Sequence, residues 1–108
     1  ERAVETARKL FEAAPDVTAV VCMSDVLAVA TIEAARRLGR DVPRDISVIG
    51  FDDAEIPHTG PALTTVRQPI LDKGRLAAEL LFADAAGSLM RTVQATLVTR
   101  GTTAAPRG

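Results

Sequence analysis

Val42-Pro43-Arg44-Asp45-Ile46-Ser47-Val48-Ile49-Gly50-Phe51-Asp52-Asp53 is the stretch that decides the fold. It reads as a loop, a buried strand over residues 45–51, and a pair of carboxylates at the strand's C-terminal end. Upstream, Thr18 to Met23 is nearly all apolar and rich in β-branched residues, the pattern of a strand buried on both faces of a parallel sheet. Ser24-Asp25 follows as an N-cap pair. The helix after it is expected to run to Leu38, with Gly39 as its stop. Strand, helix and strand at this spacing make a βαβ unit with an expected right-handed crossover. In open α/β sheets, ligands bind outside the carboxyl ends of the strands, which is where Asp52 and Asp53 fall.

The flanks extend the pattern. Residues 2–14 carry Ala3, Ala7, Leu10, Phe11 and Ala14 on one helical face, and Pro15-Asp16 ends that helix. Residues 54–62 hold two prolines, a glycine and the single histidine, and read as a loop. Leu63 to Val66 is a short strand, and Gln68-Pro69 breaks the chain again. Helical spacing returns over 70–86, with Leu71, Ala78, Leu81, Phe82 and Ala85 clustered and Gly87 as the stop. Thr92 to Thr99 is expected to be a strand. The tail from Gly101 lacks apolar anchors and is expected to fray.

Composition bounds the classes. At 108 residues the chain has room for one small domain, and 47% hydrophobic with 25% charged residues fits a globular protein. A net charge of −1 offers no basic field for nucleic acid within this stretch. One cysteine, Cys22, excludes an internal disulfide and a cysteine metal cluster, and its apolar setting marks it as a small core residue. No apolar run reaches membrane-spanning length. The sequence does not begin with Met, and Glu1-Arg2-Ala3-Val4 already looks helical, so it reads as a piece of a longer protein.

Val26, Leu27, Ala28, Val29 and Ala30 are five apolar residues in succession. An amphipathic helix needs only a stripe, so one side of this helix can cover the sheet while the other needs a second covering. A second layer of the same domain would serve. A subunit interface is favoured, because so short a chain has no thick core.

Adjacent strand residues face opposite ways, so Asp52 and Asp53 are not expected to act as a dyad. One can meet ligand hydroxyls while the other caps a turn or faces solvent; on spacing alone, ligand contact and turn capping weigh equally. Simple N-capping is the stronger reading for Asp25, and Ser24 either caps or touches a ligand. His58, alone in its loop, reads as a surface residue. Arg36-Arg37 reads as a solvated helix end. No phosphate loop, serine elbow or paired-histidine zinc motif is present, and no catalytic residue, metal site or cofactor is expected.

Four blocks resemble the lactose/galactose repressor family of bacterial transcription regulators, in order and over nearly the whole chain. They are Ser24-Asp25-Val26-Leu27-Ala28, Gly39-Arg40-Asp41-Val42 through Asp53, Pro61-Ala62-Leu63-Thr64-Thr65-Val66-Arg67-Gln68-Pro69, and Leu97-Val98-Thr99-Arg100-Gly101-Thr102-Thr103. The resemblance implies an α/β fold, a parallel sheet flanked by helices within a type I periplasmic-binding-protein-like architecture. It implies the C-terminal part of an effector-binding region. Residues 1–68 would lie mainly in one subdomain, 69–95 would hold a crossover helix of the other, and 96–108 would return as strand and tail. It further implies a cytoplasmic homodimer that meets operator DNA through a helix-turn-helix not visible here. Asp52 is then the expected effector contact, with Ser24, Gln68 and Ile70 lining the same cleft. Val26, Leu27, Val29, Ala30 and Ile56 would belong to the dimer interface. The loop between Asp53 and Leu63 is about one residue shorter than usual, so no individual loop contacts carry over.

The function expected is a ligand-sensing, dimer-forming part of a regulator that answers to a sugar or related polyol, and not an enzyme. One rival is a periplasmic sugar-binding protein of the same fold. Another is an α/β enzyme using Asp52 and Asp53 with a divalent metal, for which no companion acidic cluster is found. If the rest of the second subdomain is missing, helix 70–86 is expected to dock on its own sheet or exchange with a second copy.

Overall fold

The computed structural model describes residues 1–83 and 90–107. Helix α1 spans Arg2–Ala13, strand β1 Ala19–Val21, helix α2 Asp25–Arg37, strand β2 Ser47–Ile49, strand β3 Thr65–Arg67, helix α3 Ile70–Phe82 and strand β4 Thr96–Val98. Ala85 and Gly87, expected at the end of the third helix, lie outside the described residues.

The βαβ unit forms as its pattern predicts. β1 and β2 pair in parallel, with Val20 opposite Val48. Alternation sends Val20, Cys22, Ile46 and Val48 to one face. There they meet Ala7 and Phe11 of α1 and Ala28, Ile32, Ala34 and Ala35 of α2 in two adjoining clusters. Small residues on α2 let α1 approach closely, and the Arg40 guanidinium lies 5.2 Å from the centroid of the Phe11 ring. Ser24 caps α2 by accepting from the Leu27 N–H at 3.2 Å. Gly39 ends the helix at φ +71°, the left-handed geometry of a C′ residue.

The expectation of a first strand buried on both faces is wrong for this chain. Val21 is 75% exposed and Met23 88% exposed. Among the described residues, both helical layers sit on the Val20 side and β1 pairs only with β2, so none of them covers its other face and outer edge. β2 carries the buried centre, with Ile46 and Val48 fully enclosed.

Beyond β2 the sheet continues through single parallel bridges, Ile49 with Thr64 and Asp52 with Arg67. β3 then pairs antiparallel with β4, Thr65 opposite Val98. α3 follows Pro69 and buries none of its residues. Leu71, Leu81 and Phe82 are exposed, so α3 is not docked on the sheet as the sequence reading allowed. The 57 Å long axis, against 26 and 25 Å for the others, reflects this extension.

The tail does not fray. Thr102 is completely buried. Its hydroxyl donates to the Val48 carbonyl at 2.7 Å and accepts from the Thr64 N–H at 2.8 Å. Its carbonyl accepts from the Val48 N–H at 2.9 Å, and the Ser47 hydroxyl engages Ala104. Polar anchors replace the apolar ones the tail lacks. Replacing Thr102 by valine keeps the shape and removes the hydroxyl. It should leave a buried N–H unsatisfied and cost about 2 kcal/mol in urea unfolding, whereas Thr102→Ser should stay close to wild type.

Candidate functional site

The C-terminal edge of the sheet is built by three junctions: β1 into α2, β2 into the 52–62 loop, and β3 into α3. The Asp25 N–H donates to the Phe51 carbonyl at 2.9 Å, which fixes the first junction against the second. The third joins through Gln68. Its Nε2 donates to Asp52 Oδ1 at 2.6 Å, and its Oε1 accepts from Lys73 Nζ at 2.6 Å.

Asp52 and Asp53 are not ordinary strand residues. Their φ angles are +114° and +55°, a region that side-chain-bearing residues seldom occupy. Such strain costs about 1–3 kcal/mol per residue and persists only where the surroundings hold it. Here three consecutive amides are held. The Asp52 N–H donates to the Val66 carbonyl at 2.9 Å, the Asp53 N–H to Thr65 Oγ1 at 3.3 Å, and the Ala54 N–H to Asp25 Oδ2 at 2.7 Å.

The two carboxylates divide their work. Asp53 is paired with Arg67 and Arg100, each at 2.7 Å, and these guanidiniums, Arg100 first, hold its carboxyl below the usual aspartate range. Asp53 is therefore an internal tie rather than the turn cap or solvent-facing partner the sequence reading offered. A depressed carboxyl stabilises the fold above its unfolded pKa, and that contribution fades as pH falls through the folded value. Asp52 keeps its Oδ2 outside these bonds, so its carboxylate retains an acceptor for a ligand hydroxyl.

The N-capping reading of Asp25 is also corrected. Ser24 is the cap. Asp25, 1% exposed, accepts from the Thr65 hydroxyl at 2.6 Å as well as from the Ala54 N–H. Sequence reasoning missed Asp25 and Thr65, because their partners lie 29 and 40 residues away. The signal available was an acid at the first position of a helix whose cap was already supplied by serine.

The structure thus brings Asp52 and Gln68 into contact. Ser24 sits at the neighbouring junction, half-buried, with its hydroxyl turned to its own helix. Ile70, at the start of α3, is 65% exposed. None of these four lines the cleft of about 440 Å³ on the other side of the 54–62 loop. That cleft is bounded by Asp53, Val29, Ile56, His58, Arg67 and Arg100 among others. His58 is half-buried rather than free at the surface, its ring nitrogens 3.1 Å from the Ile56 carbonyl oxygen and 3.0 Å from that of Pro61.

On α2, Val26 and Leu27 are exposed, while Val29, Ala30 and Ile56 of the loop are partly buried. Cys22 is buried, and desolvation pushes its thiol up. Arg36 and Arg37 are exposed and paired with Glu33. Among the described residues, no group of three or more His, Cys, Asp or Glu side chains is placed to hold a metal ion. No helix among them is long and apolar enough to cross a membrane.

A family profile described as a periplasmic binding protein-like domain matches residues 1–103. The chain belongs to the periplasmic binding protein-like family. Within it, the relatives identify the segment as part of the effector-binding region of LacI-family regulators. The HTH-type transcriptional regulator MalR of Streptomyces coelicolor is 46% identical over 98 residues, covering 86% of this chain and 28% of that protein. A LacI-family transcriptional regulatory protein from Corynebacterium glutamicum superposes with a TM-score of 0.79 at 36% identity, covering 97% of this chain and 42% of that one. A complex of the transcriptional regulator CelR with cellobiose superposes with a TM-score of 0.79 at 30% identity, covering 93% of this chain and 32% of that one. This periplasmic binding protein-like chain therefore spans less than a third of the length of the MalR relative.

Proposed function

We propose that this chain is the ligand-sensing and dimerisation portion of a cytoplasmic, DNA-binding transcriptional regulator that responds to a sugar or related polyol. The observation that carries the proposal is the strained Asp52, held at the C-terminal sheet edge by Gln68 with one carboxylate oxygen outside these bonds. Ionised carboxylates are strong acceptors for hydroxyl donors. Ser24 and Ile70 complete the contact set at the neighbouring helix starts. In this reading residues 1–68 belong mainly to one subdomain, 69–95 hold a crossover helix of the other, and 96–108 return as strand and tail. An effector that prefers one arrangement of the two subdomains shifts the equilibrium between them, and operator affinity follows by linkage. The proposed role involves no catalysis.

The reading is supported by relatives that are named as transcriptional regulators. The periplasmic transport protein of the same fold is the reading they do not favour. Calorimetric titration of the full-length protein with cellobiose, maltose, ribose and glucose tests the sensing role, with operator binding followed in parallel. Binding of one sugar with a change in operator affinity is expected. Saturable sugar binding with no operator binding under any condition would return the transport reading.

The proposed interface comprises Val26, Leu27, Val29 and Ala30 of α2 with Ile56 of the adjoining loop. In the full-length protein, Val26→Asp and Leu27→Asp should convert the dimer to a folded monomer in sedimentation velocity, because each puts a charge into an apolar contact. Two variants that remain dimeric would place the interface elsewhere.

A further inference from the structure

We infer that Asp25 is a positioning residue for the ligand edge: without touching the ligand, its carboxylate sets Asp52 and Gln68 in place. This deepens the proposed sensing role and rests on it for its function, though the geometry is testable without any ligand. Asp25 is almost completely buried, at the first position of α2. Both of its oxygens are used, and each reaches a different junction. Oδ2 takes the Ala54 N–H, two residues beyond Asp52. Oδ1 takes the hydroxyl of Thr65, three residues before Gln68. Its own N–H holds the Phe51 carbonyl, one residue before Asp52. One side chain and its backbone therefore bracket Asp52 from both sides and anchor the strand that delivers Gln68.

A buried carboxylate is costly unless fully hydrogen-bonded, so a residue kept only for stability would be equally well served by an apolar side chain. What an apolar residue does not supply is two directed acceptors. The strained φ at Asp52 and Asp53 needs such direction, because the relaxed backbone would rotate the Asp52 carboxylate away from Gln68.

The test uses the full-length protein without ligand, with amide exchange and the side-chain amide resonances of Gln68 read by NMR. In Asp25→Ala, exchange at Ala54 should rise by roughly tenfold to a hundredfold, as expected for loss of a hydrogen bond to a charged group. The Gln68 side-chain resonances should move to those of a free glutamine. Thr65→Val removes the β3 arm and, with the same hydroxyl, the acceptor of the Asp53 N–H. It should move the Gln68 resonances while Ala54 stays protected, and Thr65→Ser should restore the wild-type spectrum. Thr65→Val carries the test if Asp25→Ala does not fold. Gln68 resonances that stay at their wild-type positions in a folded Asp25→Ala or Thr65→Val protein would overturn the inference, leaving Asp25 with a stabilising role alone. No sugar enters this experiment, so its failure is separate from failure of the sensing proposal.

Discussion

Replacing Gly50 by alanine is expected to destabilise the chain by about 3 kcal/mol, at the upper end of what overpacking a tight core costs. A Cβ at this position would overlap Asp25 Oδ1 and come within 3.1 Å of Leu63 Cδ2 and 3.2 Å of Asp25 Cα. The Leu63 methyl can yield, but the Asp25 side chain cannot. Its two oxygens are committed to Thr65 and Ala54, and its backbone belongs to the first turn of α2. Accommodation means either breaking those bonds or pushing α2 off the sheet. Urea unfolding followed by circular dichroism would measure the loss. A midpoint within error of wild type would mean that α2 is free to shift, and the tight junction described above would be wrong. A double variant, Gly50→Ala with Asp25→Ala, should be less than additive, because the clash and the lost bonds share one side chain.

The second large effect concerns Asp52. In the full-length protein, removing its carboxylate should weaken sugar binding by about 1.5–3 kcal/mol, the worth of a hydrogen bond to a charged group, or roughly tenfold to 150-fold in Kd. Two variants are needed, because position 52 carries φ +114°. Asparagine tolerates positive φ far better than alanine. Asp52→Asn therefore tests the charge with little added strain, and Asp52→Ala tests charge and backbone together. Operator binding without sugar should persist in Asp52→Asn. A normal sugar titration in both variants would remove Asp52 from the contact set.

The strand of the opening stretch was legible because it carries the β-branched residues Ile46, Val48 and Ile49, and Ile46 and Val48 are buried as that pattern requires. Ser24 and Gly39 marked the ends of α2 by local chemistry, which acts within a turn of the chain. The errors came where the deciding partner is distant or outside the described fold. Thr18 to Met23 reads as doubly buried, yet composition does not say whether both faces are covered here. Thr102 carries no local sign of its role, because a threonine in a polar tail looks the same whether or not it meets a strand from the other half of the chain. At the C-terminal sheet edge, Asp52 was marked by its position at a strand end and Gln68 by the family resemblance, and the structure joins them. Asp25, Thr65 and the Asp53–Arg67–Arg100 tie stayed hidden, since partners 14 or more residues apart leave no periodic trace.

The bond between the Thr102 hydroxyl and the Val48 carbonyl spans 54 positions, and this separation sets an order of events during synthesis. β1, α2 and β2 can associate as soon as they emerge, since their contacts are local and their loop-closure cost is small. On the far side of β2, Ile49 and Gly50 can meet Thr64 early, but Val48 stays unpaired until Thr102 is made. At roughly 5–20 residues per second, translation takes about 3–11 s to cover that gap. Through that interval a nascent chain presents an open β-strand position at Val48. A cell making this protein therefore carries a brief window of strand-pairing hazard that closes only when the final threonines arrive.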